Sequence, residues 1–292
     1  MLSLICFVVG GILGWLAAQG GPVVQRFWPI ALRVQILTTS IVLSMVVVWR
    51  LDSVGQLLGP VVLACGLWVI FGAAQLSRGR RSGGEAALES WTISPNSGFW
   101  VVPAASAFAG SAGVSIAVLA NVVCTVQVSL WIYMLRRDAP HPQRHSTSWV
   151  DQSPILASVA GLLIHLIVKA PPVTGSVLTF AGPLLAFSGA ALFAGSVLHP
   201  QNRGATIDVG AYRRRAWLSV VGVGFYLVVF ALATNKALEI VAVLTGLSAP
   251  SFLPVQLSVL YGYRNAVVLT AVRWTWLFAP FGLGVAAFLH YR

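Results

Sequence analysis

Residues 89–103 read Glu-Ser-Trp-Thr-Ile-Ser-Pro-Asn-Ser-Gly-Phe-Trp-Val-Val-Pro, and an apolar run then continues to Gly110. Pro95 and Pro103 each lack a backbone N–H, and the small polar residues between them favour caps and turns over a continuous helix. The stretch therefore predicts a membrane helix that is broken in its middle. Because non-helical backbone at membrane depth is tolerated only where it is buried in protein or lines a wet cavity, the break is a candidate binding site. The alternative is a simple proline kink between two ordinary helices.

A second stretch near the other end of the chain has the same character. Residues 247–254 read Leu-Ser-Ala-Pro-Ser-Phe-Leu-Pro, which again combines small polar residues with two prolines. The first stretch runs into Gly110 and the second into Gly262. Two copies of the pattern favour a binding site over an isolated kink.

The composition is that of a membrane protein with several spans. Of the 292 residues 58% are hydrophobic and only 9% are charged, with a mean hydropathy of +0.85, whereas about a quarter of the residues in a soluble domain are charged. The first segment lacks a basic region before it and a good cleavage site after it, so we expect a retained helix rather than a signal peptide. Apolar segments of spanning length fall at residues 2–19, 29–49, 54–77, 88–109, 112–135, 153–169, 174–198, 213–234, 237–260 and 265–290.

The net charge of +11 is explained by membrane topology rather than by nucleic-acid binding. Alternate loops collect most of the basic residues, namely Arg26, Arg78, Arg80, Arg81, Arg136, Arg137, Arg144, Arg203, Arg213, Arg214, Arg215 and Arg264. The other side holds Arg50, Lys169, Lys236 and Arg292. By the positive-inside rule the first side is cytoplasmic, so both termini are expected outside the cell membrane. Contact of residues 213–215 with anionic membrane lipids is an alternative role for those arginines.

The sequence carries no motif for a metal, a disulfide or catalysis. Cys6, Cys65 and Cys124 all fall inside apolar segments without Cys-x-x-Cys spacing, so we expect them to be packing residues. His141 and His145 lie in a polar loop without cysteines or clustered acids beside them, which favours a solvated loop over a metal site. No Ser/His/Asp grouping is present, and we expect neither a catalytic residue nor a cofactor.

A few polar residues interrupt the apolar segments. Glu85 and Glu89 would lie in the first turns of the broken helix, where acids offset the helix dipole. Asn121 and Thr125 share one face of the fifth segment and either join helices or face a cavity. Arg273 is the clearest intramembrane charge, and it either pairs with an anion or is held by carbonyls and the neighbouring indoles.

The second half of the chain resembles the first. A shift of 152 to 155 residues carries the first segment onto the sixth, the first break onto the second, and Gly110 onto Gly262. We therefore expect a first five-helix repeat at residues 1–136, a cytoplasmic linker at 137–152 and a second repeat at 153–292. Because five is an odd number, the two repeats must have opposite orientations in the membrane, as in many secondary transporters.

Short motifs join these features to one known family. They are Asn96-Ser-Gly98, Pro103, Phe108-Ala-Gly110, the segment 153–161, Ala249-Pro-Ser251 and Leu260-Tyr-Gly262. Together they resemble the auxin efflux carrier family over essentially the whole chain. The resemblance implies an all-α fold of ten transmembrane helices in two inverted repeats, related to bile-acid/sodium symporters, in which helices 4 and 9 break and cross. It also implies a core of helices 3–5 and 8–10 that moves against a scaffold of helices 1, 2, 6 and 7.

The resemblance further implies transport of small organic anions such as auxin-like weak acids and dicarboxylates. By position, Asn96 would contact the substrate carboxylate and Ser251 would be its counterpart in the second break. Ser251 departs from the family pattern, since a hydroxyl offers one donor where an amide offers two. Val102 is a second departure, because a glycine often precedes the second proline of the first motif.

Half-helices that begin near Ser97 and Ser251 are expected to present unsatisfied N–H groups and partial positive charge at mid-membrane. A small organic anion is the natural occupant, and alternating access the natural mechanism. The candidate substrate-binding residues are Pro95, Asn96, Ser97, Gly98, Asn121, Pro250, Ser251, Gln256 and Arg273.

The pattern of acids bears on how transport would be driven. All seven acids are expected in loops or near helix ends, which favours export by a uniporter driven by the membrane potential over ion coupling. Two other functions stay open, an intramembrane lipid-modifying enzyme and a non-transporting sensor or assembly protein that kept the fold. A homodimer through the first two segments or their repeat partners is also open.

Overall fold

The computed structural model describes residues 2–20, 41–78, 83–138, 153–197, 209–248, 251, 254 and 278–292, and every regular element within them is helical. The helices are α1 (Leu2–Ala18), α2 (helical over 41–49), α3 (Leu58–Arg78), α4 (Gly83–Ile93), α5 (Val102–Arg137), α6 (Ser153–Ile167), α7 (Val173–Val197), α8 (Val209–Ala231), α9 (Lys236–Gly246) and α10 (Ala279–Tyr291). A short 3-10 turn, Val54–Leu57, precedes α3, and a π-helical turn, Ser97–Val101, precedes α5.

The helices have the length and apolar surface of membrane spans. Four helical segments in the described part of the chain are long and apolar enough to cross a bilayer, namely Gly55–Ser77, Ser97–Arg137, Val173–Ala191 and Arg213–Ala231. Large apolar side chains on the outer faces, such as Leu166 and Ile167, are exposed, as expected where lipid replaces water. The prediction of an all-helical, membrane-embedded protein is therefore confirmed. Residues 29–40, 198, 249–250, 252–253, 255–260 and 265–277 of the predicted spans lie outside the described residues.

Gly110 marks the boundary between the fourth and fifth predicted segments. Its backbone has φ 59° and ψ −150°, inside what is otherwise a continuous run of helical residues in α5. Side-chain-bearing residues rarely adopt this combination, whereas glycine does so readily. The chain thus turns at Gly110 and resumes as a helix at once, which explains why so few polar residues separate the two segments.

The first and seventh helices pack along a seam of small residues, called here the α1–α7 seam. Gly10 of α1 contacts the backbone of Phe187, and Gly14 contacts the backbone of Ala191. Both residue numbers increase together, so α1 and α7 run parallel. Close backbone approach at glycines is the usual way that membrane helices associate, since burial from lipid gives no hydrophobic gain. Gly10 and Gly14 thus allow α1 to pack closely on α7.

Helices α3, α4, α5, α8 and α9 form a second group, called here the inner bundle. Within it α3 and α8 are antiparallel, because Ile70 lies against Gly222 while Leu63, earlier in α3, meets Tyr226, later in α8. Helix α4 also packs on α5 and α8. Arg78 ends α3 and residues 213–215 lie in the second turn of α8, so the basic residues of both helices lie toward one end, called here the arginine end.

Candidate functional site

The first break separates α4 from the π-helical turn. Helix α4 ends at Ile93, and the Ser94 N–H still donates to the Ser90 carbonyl at 2.9 Å. Asn96 then caps the next turn with φ −78° and ψ 74°, and its Oδ1 accepts a hydrogen bond from the Phe99 N–H at 3.2 Å. Pro95 cannot donate to the ladder, so the helix ends where the sequence places the proline.

The second break follows α9, which ends at Gly246. The Ser251 N–H beyond it donates to the carbonyl of Ser94 in the first break, at 3.2 Å. The two breaks, more than 150 residues apart in sequence, are therefore in direct backbone contact. Three candidate residues, Pro250, Gln256 and Arg273, lie outside the described residues.

The expectation of bare N–H groups at the break termini is wrong for two residues. The Ser97 N–H donates to the Pro95 carbonyl at 2.9 Å, and the Ser251 N–H is used by Ser94. The donor that is left is a side chain. Asn96 is 4% exposed, and its Nδ2 has no hydrogen-bond partner among the described residues. Leaving a buried donor unsatisfied costs about 1–3 kcal/mol, so this amide is poised to donate to an acceptor brought to the break.

Two small cavities adjoin the break. Chamber 1 comprises about 340 Å³ of space between atoms, part of it open to the outside, and is lined by Ile70, Ile93, Pro95, Ser219, Gly222, Val223, Tyr226, Thr245, Gly246, Ser248 and Phe278. Chamber 2 comprises about 260 Å³, also partly open, and is lined by Leu63, Leu67, Pro95, Ser97, Val101, Ala117, Ala120, Cys124, Tyr226 and Thr245. No charged side chain is among these described lining residues. Both chambers share Pro95, Tyr226 and Thr245, so they lie on two sides of one wall.

The structure brings only some of the predicted site residues together. Pro95 and Ser97 line the chambers, and Asn96 lies between them in sequence without lining either chamber. Gly98 is half-buried in the π-helical turn. Asn121 is half-buried on α5, where its carbonyl accepts from the Thr125 hydroxyl at 3.1 Å, and it lines neither chamber.

The position of Glu89 corrects the sequence-based interpretation. This carboxylate does not lie at a helix end but in the body of α4, with a side chain that is 0% exposed, and its Oε1 is 3.6 Å from Nε of Arg214 on α8. Arg215 is also fully buried. A carboxylate removed from both water and lipid needs a cation, because an unpaired buried charge costs several kcal/mol. Arg214, predicted from the sequence only as one of a basic cluster, thus pairs with a fully buried carboxylate.

Three functional candidates on α8 and α9 were missed from the sequence. Ser219 is 7% exposed, lines chamber 1, and its hydroxyl has no hydrogen-bond partner among the described residues. Tyr226 and Thr245 line both chambers. One signal was available, since Arg215, Ser219, Gly222 and Tyr226 recur at helical spacing and therefore share one face of α8.

Searches of protein-family models and of curated proteins find no match to this chain.

Proposed function

We propose that the chain is a secondary transporter of the cell membrane that exports a small organic anion or weak acid by alternating access, with the substrate held where the two helix breaks meet. The observation that carries the proposal is the Ser251–Ser94 backbone hydrogen bond beside the buried Asn96 amide. Interrupted helices are tolerated inside a membrane chiefly where they serve a binding site. An acceptor oxygen of a carboxylate would satisfy this Nδ2 donor, which has no partner among the described residues.

Helix directions support the alternating, inverted-repeat topology on which the proposal rests. If every segment crosses the bilayer, helices an even number of spans apart run parallel and those an odd number apart run antiparallel. Helices α1 and α7 are parallel, and α3 and α8 are antiparallel, as ten consecutive spans require. Helices α4 and α9 each have 11 residues and begin at Gly83 and Lys236, which is the shift of 153 that a repeat would give.

The driving force in this proposal is the membrane potential. The one carboxylate that is buried within α4, Glu89, is paired with Arg214 and is thus neutralised rather than held ready for a coupling ion. A potential that is negative inside favours the exit of an anion by about 2.3 kcal/mol per charge per 100 mV. An outward uniporter needs no further energy source.

The decisive variant is Asn96→Asp. Asp keeps an oxygen to cap the Phe99 N–H, since it is as good an N-cap residue as Asn, but it replaces the Nδ2 donor by an acceptor. In proteoliposomes tested with labelled benzoate and succinate, we expect Asn96→Asp to lower potential-driven flux about tenfold or more, the value of a lost hydrogen bond to a charged group. Because an unpaired buried carboxylate is itself costly, Asn96→Ser, which keeps an oxygen to cap the Phe99 N–H without adding a charge, is measured beside it, and its thermal unfolding midpoint should stay near that of the unaltered protein. Equal flux in both proteins would refute the assigned site.

A non-transporting sensor that kept this fold is the second candidate. The internal use of the Ser97 and Ser251 N–H groups favours it, because fewer donors remain for a passing anion. A sensor would be stabilised by the acid in a thermal-shift titration while showing no flux in proteoliposomes. A transporter shows both.

A further inference from the structure

Tyr226 stands between the two chambers. It lies on α8, is 2% exposed, and lines both chambers together with Pro95 and Thr245. Pro95 follows the end of α4 at the first break, and Thr245 lies near the end of α9 before the second break. These two residues and the ring of Tyr226 together form the wall between the chambers. Tyr226 is thus one of the three residues that separate the two chambers.

The α3–α8 pair shows that the chambers lie at different depths. From the arginine end, α3 presents first Ile70, which lines chamber 1, and then Leu67 and Leu63, which line chamber 2. At 1.5 Å per residue, Ile70 and Leu63 are about 10 Å apart along the helix. Gly222 of chamber 1 contacts Ile70, and Tyr226 follows one turn farther from the arginine end. Chamber 1 therefore lies nearer the arginine end and chamber 2 lies beyond it.

Two glycines and one carbonyl hold the ring in place. The Tyr226 hydroxyl donates to the Leu63 carbonyl at 3.2 Å. A Cβ on Gly66 of α3 would lie 2.5 Å from Oη of Tyr226, and one on Gly246 of α9 would lie 2.8 Å from its Cβ. Larger residues at these two sites would displace the side chain. The position of the ring is thus set by residues of two different helices, α3 and α9.

We infer that a single path runs through the inner bundle by way of the two chambers. The side chain of Tyr226 is the partition between them and limits what passes from one chamber to the other. The inference rests on the proposed function for its ligand, a small organic acid. The partition itself is tested without any ligand. Chamber 1 faces the arginine end and chamber 2 the opposite end, so a reagent from one side of the membrane should reach one chamber only.

The chain offers a thiol reporter for each chamber. Cys124 lines chamber 2, and the other two of the three cysteines, Cys6 and Cys65, can be replaced by serine. Ser219→Cys with Cys124→Ala places the reporter in chamber 1 instead. Sealed proteoliposomes of known orientation would receive a membrane-impermeant methanethiosulfonate reagent on one face or the other, and labelling would be followed by mass shift.

With Tyr226 in place, each thiol should react at least about tenfold faster when the reagent is added on one face of the membrane. The preferred face should be opposite for the two reporters. The reason is that a reagent needs only the local opening of the chamber on its own side to reach that chamber's thiol. Tyr226→Phe keeps the ring and should preserve both preferences. Tyr226→Leu removes the end of the side chain and should bring both ratios close to one. Gly66→Ala should act in the same direction by displacing the ring, and Gly72→Ala on the same helix, where a Cβ meets nothing within 4 Å, should not.

The inference is overturned if both thiols prefer the same face, if either thiol is unreactive from both faces, or if Tyr226→Leu and Gly66→Ala leave the preferences intact. Failure of the proposed function has a different signature. In that case the acid flux of the unaltered protein is absent, while the sidedness of the two thiols and its loss in Tyr226→Leu still support the partition.

Discussion

The α1–α7 seam and the inner bundle solve the same packing problem in different ways. In the seam the buried residues of α1 are Ser3, Gly10, Gly14 and Ala18, and two glycines lie against the backbone of α7. The inner bundle holds a buried carboxylate with its arginine, an amide whose Nδ2 has no partner among the described residues, and two chambers. The seam is closely packed and mostly apolar, whereas the inner bundle buries polar and charged groups within its apolar core and contains voids.

This difference indicates which part of the molecule has a task beyond packing. Close contact between small residues is sufficient to associate two membrane helices. Buried charges and polar groups are expensive in a membrane and are usually retained for function. Gln127 shows the same cost, since it is fully buried and neither of its polar side-chain atoms has a partner among the described residues. The buried polar groups of the inner bundle thus lower the stability of the fold, whereas the small-residue contacts of the seam do not.

The largest expected effect is at the buried charge pair. Glu89→Ala leaves the guanidinium of Arg214 without its carboxylate, and we expect the free energy of unfolding to fall by about 3 kcal/mol, the lower end for a broken buried pair because the Arg214 side chain is 41% exposed. Unfolding in detergent micelles measures it. Glu85→Ala is the matched control, since Glu85 is an exposed acid one turn earlier on the same helix. If the two variants were equally stable, the charge pair would have no structural role.

A smaller effect is expected in the seam. A Cβ at Gly14 would lie 2.6 Å from the Cα of Ala191, and backbone cannot move aside as a side chain can. Gly14→Val should therefore cost about 2 kcal/mol, within the usual range for overpacking. Gly11→Val is the control, because a Cβ at Gly11 meets nothing within 4 Å. Similar unfolding midpoints for the two variants would show that α1 and α7 separate easily.

The sequence predicted the features that depend on local chemistry. The break at Pro95, the capping role available to Asn96 and the turn at Gly110 all follow from residues that oppose a continuous helix. The close packing of the first segment follows from its glycines. Each of these features depends on a few residues that are neighbours in the sequence, so it can be predicted without knowing the fold.

Features that join distant segments could not be predicted in the same way. The sequence predicts Glu89 as an acid near a helix start and Arg214 as one of a cytoplasmic cluster, because no local pattern indicates that two residues 125 positions apart form a pair. It likewise predicts free N–H groups at Ser97 and Ser251, because their acceptors depend on how the breaks are folded and apposed. Ser219 and Tyr226 carry no motif and gain their importance only from the chambers that they line.

The smallest effect tests a surface contact of the inner bundle. Asp138, the C-cap of α5, accepts from the Gly84 N–H at 2.7 Å and from Nε of Arg137 at 2.7 Å, and it thereby caps the first turn of α4. The hydrogen bond from Arg137, together with that from Gly84, lowers the pKa of the Asp138 carboxyl below its ordinary value, although partial burial opposes the shift.

Because this pKa is lower in the folded protein, the ionised carboxylate stabilises the fold at pH values above the ordinary Asp pKa of about 4. The contribution is lost as the pH falls through the lowered value. Asp138→Asn should cost about 1 kcal/mol at pH 7, the usual value of a charged helix cap, and the difference from the unaltered protein should shrink toward pH 3. Unfolding measured at both pH values checks this, with Asp52→Asn in an exposed loop as the control. If the difference in unfolding free energy between Asp138→Asn and the unaltered protein were the same at both pH values, Asp138 would stabilise the α4–α5 contact by its shape rather than by its charge. This part of the inner bundle would then resemble the seam, where the fit of small residues holds the helices together.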